Sequence, residues 1–421
     1  MEPAGLLARH LARAAAGAPH TAALIADGRR HSFAEWLAEA TRVAAQLDAA
    51  GQPLILAGRS VDLACHAFAA SLKNRPFWPV DRNSARPPAP ALPAGTSLVI
   101  STSGSEGEPR GVMLTDAGLD AAATASNEHL ALAAGDLWLA CLPLHHIGGQ
   151  AILWRCTRAG ATVLLHDGFD ADTVAADLAR YPVTHISLVP VMLARLLDAG
   201  VRPPPTLRHA MIGGAALAPA LYERAAAAGW PLNPSYGMSE TAAQVATWTP
   251  ADGPWRPGLV GRPLGRNEFS LAADGRIRIR GPQLMAGYVD GGRIDPDGWL
   301  TTGDLGEIDA AGRLTVTGRA DDMLISGGRN VHPLEVEACL AACPGVRDAA
   351  VTGIPDAVWG DLVVALVAGE ALAADIDAWC RARLPGHARP RHIVAVAGLP
   401  RNATGKLERA ALRRLAGEVQ A

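Results

Sequence analysis

Apolar segments that can form strands alternate with alanine-rich segments that can form helices through roughly the first 230 residues of the chain. The strand-like segments span residues 54–57, 98–100, 137–142, 161–165, 185–189 and 209–212, and helical patterns span 116–132, 174–180 and 219–228. Strands that alternate with helices are typical of α/β proteins with a largely parallel sheet. The sequence therefore predicts an α/β fold for this part of the chain.

The pattern changes twice in the remaining residues. From about Phe269, short alternating segments at 276–280 and 314–317 are separated by Asp-Gly or Ala-Gly turns, which indicates antiparallel β-structure. After Arg319, helical patterns at 333–342, 374–383 and 408–415 accompany strand-like segments at 349–354 and 363–367. We predict a large N-terminal domain at 1–318, with α/β layers and a small β-barrel-like part, and a small C-terminal α+β domain at 319–421.

Charge and hydrophobicity limit the classes of function. The 421 residues carry 38 Lys and Arg against 41 Asp and Glu, whereas proteins that bind nucleic acid through bulk electrostatics usually have a basic domain. Hydrophobic residues make up 49% of the chain, which is enough for a folded core. No apolar run reaches the ~18–20 residues of a membrane span, and Arg9 and Arg13 interrupt the apolar N-terminal stretch, unlike a signal peptide. We expect a cytoplasmic enzyme that binds neither nucleic acid nor membrane.

Cysteine and lysine usage adds two constraints. None of the six cysteines forms a Cys-x-x-Cys pair, so the sequence indicates neither a zinc ribbon nor a dithiol redox site. Lys73 and Lys406 are the only lysines among the 38 basic residues. Lys406 ends the turn-like segment Pro-Arg-Asn-Ala-Thr-Gly-Lys, which favours a specific role over that of an ordinary surface lysine.

A loop rich in glycine and hydroxylated residues follows the strand-like segment 98–100. Its sequence, residues 101–111, is Ser-Thr-Ser-Gly-Ser-Glu-Gly-Glu-Pro-Arg-Gly. Small residues let backbone N–H groups approach an anion closely, so such a loop can bind phosphate. The Gly-Lys-Ser/Thr ending of a Walker A loop is missing. By itself, this composition also fits a solvated turn.

Three later segments carry groups suited to a nucleotide. Residues 236–241, Tyr-Gly-Met-Ser-Glu-Thr, combine a flat ring that can stack on a base with a hydroxyl for phosphate and a carboxylate for Mg²⁺. Residues 301–304, Thr-Thr-Gly-Asp, offer an acid suited to two vicinal ribose hydroxyls. The segment 318–323, Gly-Arg-Ala-Asp-Asp-Met, follows a predicted strand. The sequence therefore predicts a nucleotide site assembled from several loops.

These segments together resemble the adenylate-forming superfamily of acyl- and aryl-CoA ligases, firefly luciferase and peptide-synthetase adenylation domains. The resemblance covers nearly the whole chain, and its segments run in the family's order at 68–81, 101–111, 142–149, 281–288, 298–306 and 318–337. It implies an enzyme with two half-reactions. A carboxylate attacks the α-phosphate of ATP to give an acyl-adenylate and pyrophosphate, and a thiol then displaces AMP. It also implies that the small domain is mobile and rotates between the two steps.

The resemblance assigns roles to individual residues. The loop residues Ser101, Thr102, Ser103, Gly104, Ser105, Gly107 and Arg110 would hold the β- and γ-phosphates. Tyr236 and Gly237 would bind adenine, Asp304 and Arg319 the ribose, Ser239 the α-phosphate, and Glu240 the Mg²⁺. Lys406 would bridge the carboxylate and the phosphate, His146 would border the acyl pocket, Asp321 would be the hinge, and Gly327 and Gly328 would line the pantetheine tunnel.

Several positions depart from the family's pattern or stay open. Arg110 replaces the usual lysine of the phosphate loop, and Glu106 replaces a threonine, which places a negative charge near the phosphates and puts ATP affinity in doubt. His145 has no assigned role. Glu335 and Glu337 are expected on a solvated helix face.

The substrate expectation depends on a local match. Residues 143–155, Pro-Leu-His-His-Ile-Gly-Gly-Gln-Ala-Ile-Leu-Trp-Arg, resemble o-succinylbenzoate–CoA ligases, and 321–333 resembles halobenzoate–CoA ligases, although Arg329 stands where the latter often carry Glu. We expect an aromatic acid, with Arg155 a candidate to pair with a second carboxylate. The thiol would be coenzyme A or, alternatively, the phosphopantetheine of an acyl-carrier protein. A third hypothesis is that the chain is a degenerate, non-catalytic family member, and Glu106 is the one residue that favours it.

Overall fold

The computed structural model describes residues 4–48, 52–88, 90–103, 109–292, 294–401 and 407–418. Up to residue 247, helices and strands alternate along the chain as α1 (Leu6–Gly17), β1 (Ala22–Ala26), β2 (Arg29–Ser32), α2 (Phe33–Gln46), β3 (Leu54–Ala57), α3 (Ser60–Leu72), β4 (Phe77–Val80), β5 (Thr96–Ser103), β6 (Pro109–Thr115), α4 (Asp116–His129), β7 (Leu137–Ala140), α5 (Ile147–Ala159), β8 (Thr162–Leu165), α6 (Ala171–Arg180), β9 (His185–Leu188), α7 (Pro190–Asp198), β10 (His209–Ile212), α8 (Pro219–Ala227), β11 (Leu232–Met238) and β12 (Ala243–Thr247).

The largest sheet has the strand order β12-β11-β10-β9-β7-β8-β1-β2. Its inner pairs are parallel, and only the edge pairs β11/β12 and β1/β2 are antiparallel. Strands β7 and β9 are buried along their whole length, because helices cover the sheet. The carboxyl ends of parallel strands meet at one edge, so the segments after β7 and β11, which carry His146 and Ser239, leave the sheet at the same edge.

The chain between residues 259 and 319 forms β13 (Leu259–Gly261), β14 (Glu268–Leu271), β15 (Arg276–Arg280), β16 (Gly287–Tyr288), β17 (Leu300–Ile308) and β18 (Leu314–Arg319). Strand β16 joins a second sheet of order β16-β6-β5-β4-β3, in which β5 and β6 form the hairpin that carries the glycine-rich loop. The other strands form a third, antiparallel sheet of order β13-β18-β17-β15-β14. This third sheet is the small β-part that the sequence predicts.

The C-terminal domain is smaller and has its own core. Its elements are β19 (Leu324–Ser326), β20 (Arg329–Val331), α9 (Pro333–Ala341), β21 (Val346–Asp356), β22 (Gly360–Gly369), α10 (Ala373–Arg383), β23 (His392–Ala395) and α11 (Arg409–Gly417). The sheet runs β20-β19-β22-β21, with β23 parallel to β22. Among the described residues, the hydrophobic core of this domain is formed only by residues from Leu324 onward, among them Val336, Leu340, Val351 and Val363. The third sheet ends at Arg319, and the sheet of the C-terminal domain begins at Leu324.

Local sequence signals explain several element boundaries. Helix α2 begins at a capping box, in which the Ser32 side chain accepts from the Glu35 N–H and the Glu35 carboxylate accepts from the Ser32 N–H. Helix α5 ends at Gly160, which adopts the left-handed conformation with φ 72°. Helices α7 and α9 each begin with proline, whose missing N–H costs nothing at that position.

One expectation about α9 is wrong. Glu335 is exposed, but Glu337 is buried against Arg409, which donates to its carboxylate across 3.0 Å. The Glu337 carboxylate also accepts from the Val351 N–H at 2.8 Å. Burial raises the pKa of Glu337, although Arg409 opposes that shift. Helical periodicity alone could not reveal this partner, because Arg409 lies 72 residues further along the chain.

Candidate active site

A tight turn after β11 carries Ser239 and Glu240. Residues 239–241 form a single 3₁₀ turn, and Ala242 and Ala243 follow with positive φ of 50° and 94°, a conformation that costs energy for residues with a Cβ. A Cβ on Gly237 would overlap the Ala243 carbonyl oxygen, so only glycine allows this close approach. The turn therefore has a fixed and strained backbone, as is common where a side chain must be aimed.

The Tyr236 hydroxyl, the Asp304 carboxylate and the Arg319 guanidinium form a connected chain. Tyr236 donates to Asp304 Oδ2 across 2.8 Å, and Arg319 Nη1 donates to Asp304 Oδ1 across 3.2 Å. Asp304 and Arg319 are neighbours in the β17/β18 pairing, which explains how they meet. Burial, followed by the nearby Asp304 charge, raises the pKa of Tyr236 well above its usual value, so its hydroxyl stays a donor at neutral pH. The structure thus joins three residues that the sequence placed in one nucleotide site.

A second chain of contacts runs from Glu240 to the glycine-rich hairpin. Tyr288 donates to Glu240 Oε1 across 2.9 Å, and the Arg110 guanidinium lies 3.7 Å from the centroid of the Tyr288 ring. Arg110 is itself held by Asp290, with its Nε at 2.8 Å and its Nη2 at 3.0 Å from the two carboxylate oxygens. The sequence predicts a phosphate contact for Arg110. In the structure its charge is paired with Asp290, a residue that sequence reasoning missed.

The hairpin itself is described only at its two strands. The Ser101 hydroxyl accepts from the Trp78 indole N–H at 2.9 Å, and the Thr102 hydroxyl donates to the Arg110 carbonyl at 3.3 Å. Gly104, Ser105, Glu106 and Gly107, together with the side chain of Ser103, lie outside the described residues. Lys406 lies outside them as well. Their predicted roles therefore stay predictions.

His146 stands at the start of α5, at the same sheet edge as the Ser239 turn. It is the residue before the helix begins, and its ring centroid is 4.3 Å from that of His145. His145 Nε2 lies 3.4 Å from the Asp81 carboxylate, and burial lowers the pKa of His145. A Cβ on Gly149 would overlap the Pro143 carbonyl oxygen, so glycine is required for this entry into the helix. The structure thus provides a partner for His145, whose role the sequence left open.

The predicted hinge residue Asp321 lies between two ion pairs. Arg319 Nη2 donates to Asp321 Oδ2 across 3.0 Å, while Arg319 Nη1 contacts Asp304 in the third sheet. On the other side, Arg409 Nε donates to Asp322 Oδ2 across 3.1 Å. Sequence reasoning missed Asp322 and Arg409, because nothing local marks a pair that is 87 residues apart.

Gly327 and Gly328 lie in a turn between β19 and β20, both with positive φ. The Gly327 N–H donates to the Trp359 carbonyl across 2.9 Å, and a Cβ on Gly327 would come within 3.0 Å of the Trp359 ring. Trp359 also carries the Arg391 guanidinium 4.5 Å from its centroid. The predicted tunnel glycines therefore lie beside an exposed aromatic residue that sequence reasoning did not single out.

The donor set fits a nucleotide with its magnesium ion. Glu240 and Asp304 offer carboxylate oxygens, which suit Mg²⁺ and ribose hydroxyls respectively. Within the described ranges, no three His, Cys, Asp or Glu side chains cluster closely enough to hold a metal ion together. Mg²⁺ on nucleotides is usually held by one or two carboxylates together with phosphate oxygens, and the Glu240 carboxylate fits that chemistry.

Comparison with known proteins gives matches over most of the chain. The family described as AMP-binding enzyme matches residues 59–289, and the AMP-binding enzyme C-terminal domain matches residues 335–406. The 2-succinylbenzoate–CoA ligase of Bacillus licheniformis is 35% identical over 347 residues, 78% of this chain and 73% of that protein. The corresponding enzyme of Listeria monocytogenes is 35% identical over 75% of this chain and 69% of its own length.

Solved structures also match over most of the chain. The o-succinylbenzoate CoA synthetase (MenE) from Bacillus subtilis, in complex with its acyl-adenylate intermediate, superimposes with a TM-score of 0.85 at 29% identity, covering 96% of this chain and 97% of that one. ATP-bound MatB from Rhodopseudomonas palustris superimposes with a TM-score of 0.88 at 23% identity, covering 98% and 100%, which supports the fold.

The matching family models, the relatives and the shared two-domain fold define an adenylate-forming enzyme of the AMP-forming acid–thiol ligase class. The chain belongs to the AMP-binding enzyme family. In the described part of the chain, every helix is too short or too polar to span a bilayer.

Proposed function

We propose that this enzyme activates 2-succinylbenzoate, or a close aryl dicarboxylic relative, and transfers it to coenzyme A. In the first half-reaction a carboxylate oxygen of the acid attacks the α-phosphorus of ATP, the bond to the bridging oxygen breaks, and pyrophosphate leaves. In the second, the thiolate of coenzyme A attacks the acyl carbon and AMP leaves. The relatives named as 2-succinylbenzoate–CoA ligases support both the acid and the acceptor.

The nucleotide would lie across the two contact chains of the site. Asp304 accepts from Tyr236 and Arg319, and its remaining lone pairs would accept the two ribose hydroxyls. The Tyr236 ring and Gly237 would bind adenine, and Ser239 would donate to the α-phosphate. Residues 101–107 with Arg110 would hold the outer phosphates, and Lys406 would place its charge between the carboxylate and the α-phosphate.

Mg²⁺, when bound, would neutralise the charge on the phosphates as pyrophosphate leaves. Glu240 would hold the ion through its carboxylate, and Tyr288 already fixes one oxygen of that carboxylate. His146 would border the acyl pocket at the start of α5. Each of these assignments relies on positioning and charge, which is how phosphoryl chemistry is mainly catalysed.

The burial of the Arg155 side chain is the observation that supports a dicarboxylic acid as the substrate. Its side chain is 1% exposed, and its Nε and Nη1 atoms have no hydrogen-bond partner among the residues that the structure describes. Burial lowers its pKa to about 10. The buried carboxylate of Asp136 is not available, because Arg208 holds it at 2.7 Å. Buried charged donors without hydrogen bonds are costly, so a substrate carboxylate would suit these two nitrogen atoms.

The position of Arg155 on α5 suits an acid that enters near His146. Helical side chains point back toward the N-terminus of their helix, and Gly148, Ala151 and Arg155 share one face of α5. The residues N-terminal to Arg155 on that face are small. The Trp138 ring lies 5.3 Å from the guanidinium carbon, so an aromatic residue borders this buried charge.

The domains would act in turn. We place the boundary between residues 318 and 319, with Asp321 as the hinge. The ion pairs on its two sides, Arg319 with Asp304 and Arg409 with Asp322, would keep each end of the linker attached to its own domain. Gly327 and Gly328 would line the path of the pantetheine thiol.

We place the enzyme in the cytoplasm, because all six of its cysteines are free thiols, as a reducing compartment favours.

The experiment is pyrophosphate release from Mg·ATP with a panel of acids, each measured with and without coenzyme A. The panel contains 2-succinylbenzoate, benzoate and substituted benzoates. We expect turnover with 2-succinylbenzoate that rises when coenzyme A is added, together with a thioester product. Pyrophosphate release that coenzyme A leaves unchanged would instead indicate a carrier-protein acceptor. Turnover with benzoate equal to that with 2-succinylbenzoate would contradict the role given to the second carboxylate.

A further inference from the structure

One short segment holds Glu240 at two points. The Met285 N–H donates to the Glu240 carbonyl oxygen across 2.8 Å, and the Tyr288 hydroxyl donates to Glu240 Oε1 across 2.9 Å. The first contact fixes the backbone of the 239–241 turn, and the second fixes its carboxylate. Glu240 is half-buried, so the carboxylate still reaches the site.

Tyr288 is itself held both through its backbone and through its ring. It pairs with Val112 in the β16/β6 ladder, which ties it to the hairpin that carries the glycine-rich loop. The Arg110 guanidinium covers its ring at 3.7 Å, and Asp290 and the Gly291 carbonyl fix that guanidinium in turn.

We propose that Tyr288 is the positioning residue that orients Glu240 for Mg²⁺. The hydroxyl donates to Oε1 and would restrict the rotation of the carboxylate, which would hold the ion when it is bound. Groups that hydrogen-bond to a metal ligand from behind fix its orientation, and their loss typically costs about 10- to 100-fold in metal affinity. This inference rests on the proposed function only in taking Glu240 as the metal ligand.

The test is Tyr288→Phe, which removes the hydroxyl but keeps the ring beneath Arg110. Calorimetry would measure binding of a non-hydrolysable ATP analogue across a Mg²⁺ series, and binding of AMP without metal. We expect the Mg²⁺ concentration for half-maximal tightening of the analogue to rise about tenfold or more, with AMP affinity within twofold of wild type. In pyrophosphate release, the half-saturating Mg²⁺ concentration would rise in step, while kcat at saturating Mg²⁺ would change little.

Two further variants separate positioning from general damage. Tyr181→Phe makes the same chemical change at a tyrosine outside this site, and it should leave the Mg²⁺ dependence unchanged. In a Glu240→Gln background, Tyr288→Phe should add nothing, because the carboxylate it orients is gone. An unchanged Mg²⁺ series for Tyr288→Phe would overturn the proposal, and so would an equal weakening of analogue and AMP binding. The calorimetric arm needs no acid substrate, so it stays informative even if no tested acid is turned over.

Discussion

Tyr236 donates its hydroxyl hydrogen bond to Asp304 across 2.8 Å, and this bond joins the large parallel sheet to the third, antiparallel sheet. Asp304 thereby receives two donors, since Arg319 occupies its other oxygen. A carboxylate held in this way is oriented before any ribose arrives, which reduces the entropy lost on binding.

Replacement of Asp304 by Asn should therefore weaken ATP and AMP alike. Hydrogen bonds to a charged group contribute about 1.5–3 kcal/mol, so we expect AMP affinity to fall about 10- to 100-fold, as measured by calorimetry. Asp309→Asn is the matched control, because Asp309 also pairs with an arginine, Arg313, at the end of the same hairpin. If Asp304→Asn weakened ATP but spared AMP, the carboxylate would be acting on the outer phosphates rather than on the ribose.

Lys406→Ala should abolish adenylation while it spares the second half-reaction. The lysine charge is aimed at negative charge that develops as the acyl-adenylate forms, and loss of one such group typically costs at least ~100-fold. Pyrophosphate release measures the first step, and thioester formation from a supplied acyl-adenylate measures the second. Lys73→Ala replaces the other lysine of the chain and should leave both rates unchanged. Equal loss of both steps in Lys406→Ala would contradict the domain-rotation assignment.

Asp321→Pro should have the opposite effect to Lys406→Ala: it should spare adenylation and impair thioester formation. Proline fixes φ, so the linker between the Arg319–Asp304 and Arg409–Asp322 ion pairs could no longer rotate. We expect near-normal pyrophosphate release and a large loss of thioester formation in the same two assays. Asp321→Ala is the control, since it removes the contact with Arg319 but keeps the backbone free. The hinge assignment would be refuted by full thioester formation in the proline variant.

Arg155→Met should change the preference among acids without harming the fold. A buried cation without a partner contributes little to stability, and its replacement by an apolar residue of similar size is often neutral or stabilising. We expect the KM for 2-succinylbenzoate to rise about 10- to 100-fold and that for benzoate to change little. The measurement is the ratio of kcat/KM for the two acids, with the thermal midpoint recorded alongside.

The control for that experiment is Arg158→Met on the same helix. Arg158 donates to Asp120 across 2.6 Å, so its loss should lower stability modestly and leave the ratio of the two acids unaltered. An equal loss of activity toward both acids in Arg155→Met would assign Arg155 to the packing of α5 instead of to recognition.

Much of the architecture could be predicted because its signals are local. The segments 54–57 and 209–212 are strands with the predicted limits, and the helix predicted at 374–383 spans Ala373–Arg383. Alternation, proline at helix starts and glycine at helix ends are all properties of neighbouring residues. The order of motifs likewise indicated the family, because each motif is a short run whose chemistry is evident without a partner.

The contacts that aim the site were not predictable in the same way. The Glu337 carboxylate is buried against Arg409, which is 72 residues away in the sequence. The Arg110 guanidinium is paired with Asp290, which is 180 residues away. Tyr288 belongs to a segment that the sequence singled out, but nothing in that segment shows that its hydroxyl meets Glu240. Pairing between distant charged and polar groups depends on how sheets and helices pack, and a linear pattern does not contain that information.

The sequence by itself therefore determined the α/β class, the order of the elements, and which residue types could serve a nucleotide and an acid. Only the tertiary structure decided which of those side chains meet: Tyr236 with Asp304, and Tyr288 with Glu240. It also decided that Arg155 is buried, with its Nε and Nη1 atoms unpaired among the described residues. The physical reason is that secondary structure follows from local propensity and periodicity, whereas the partner and the solvent exposure of a charge are set when remote segments pack together.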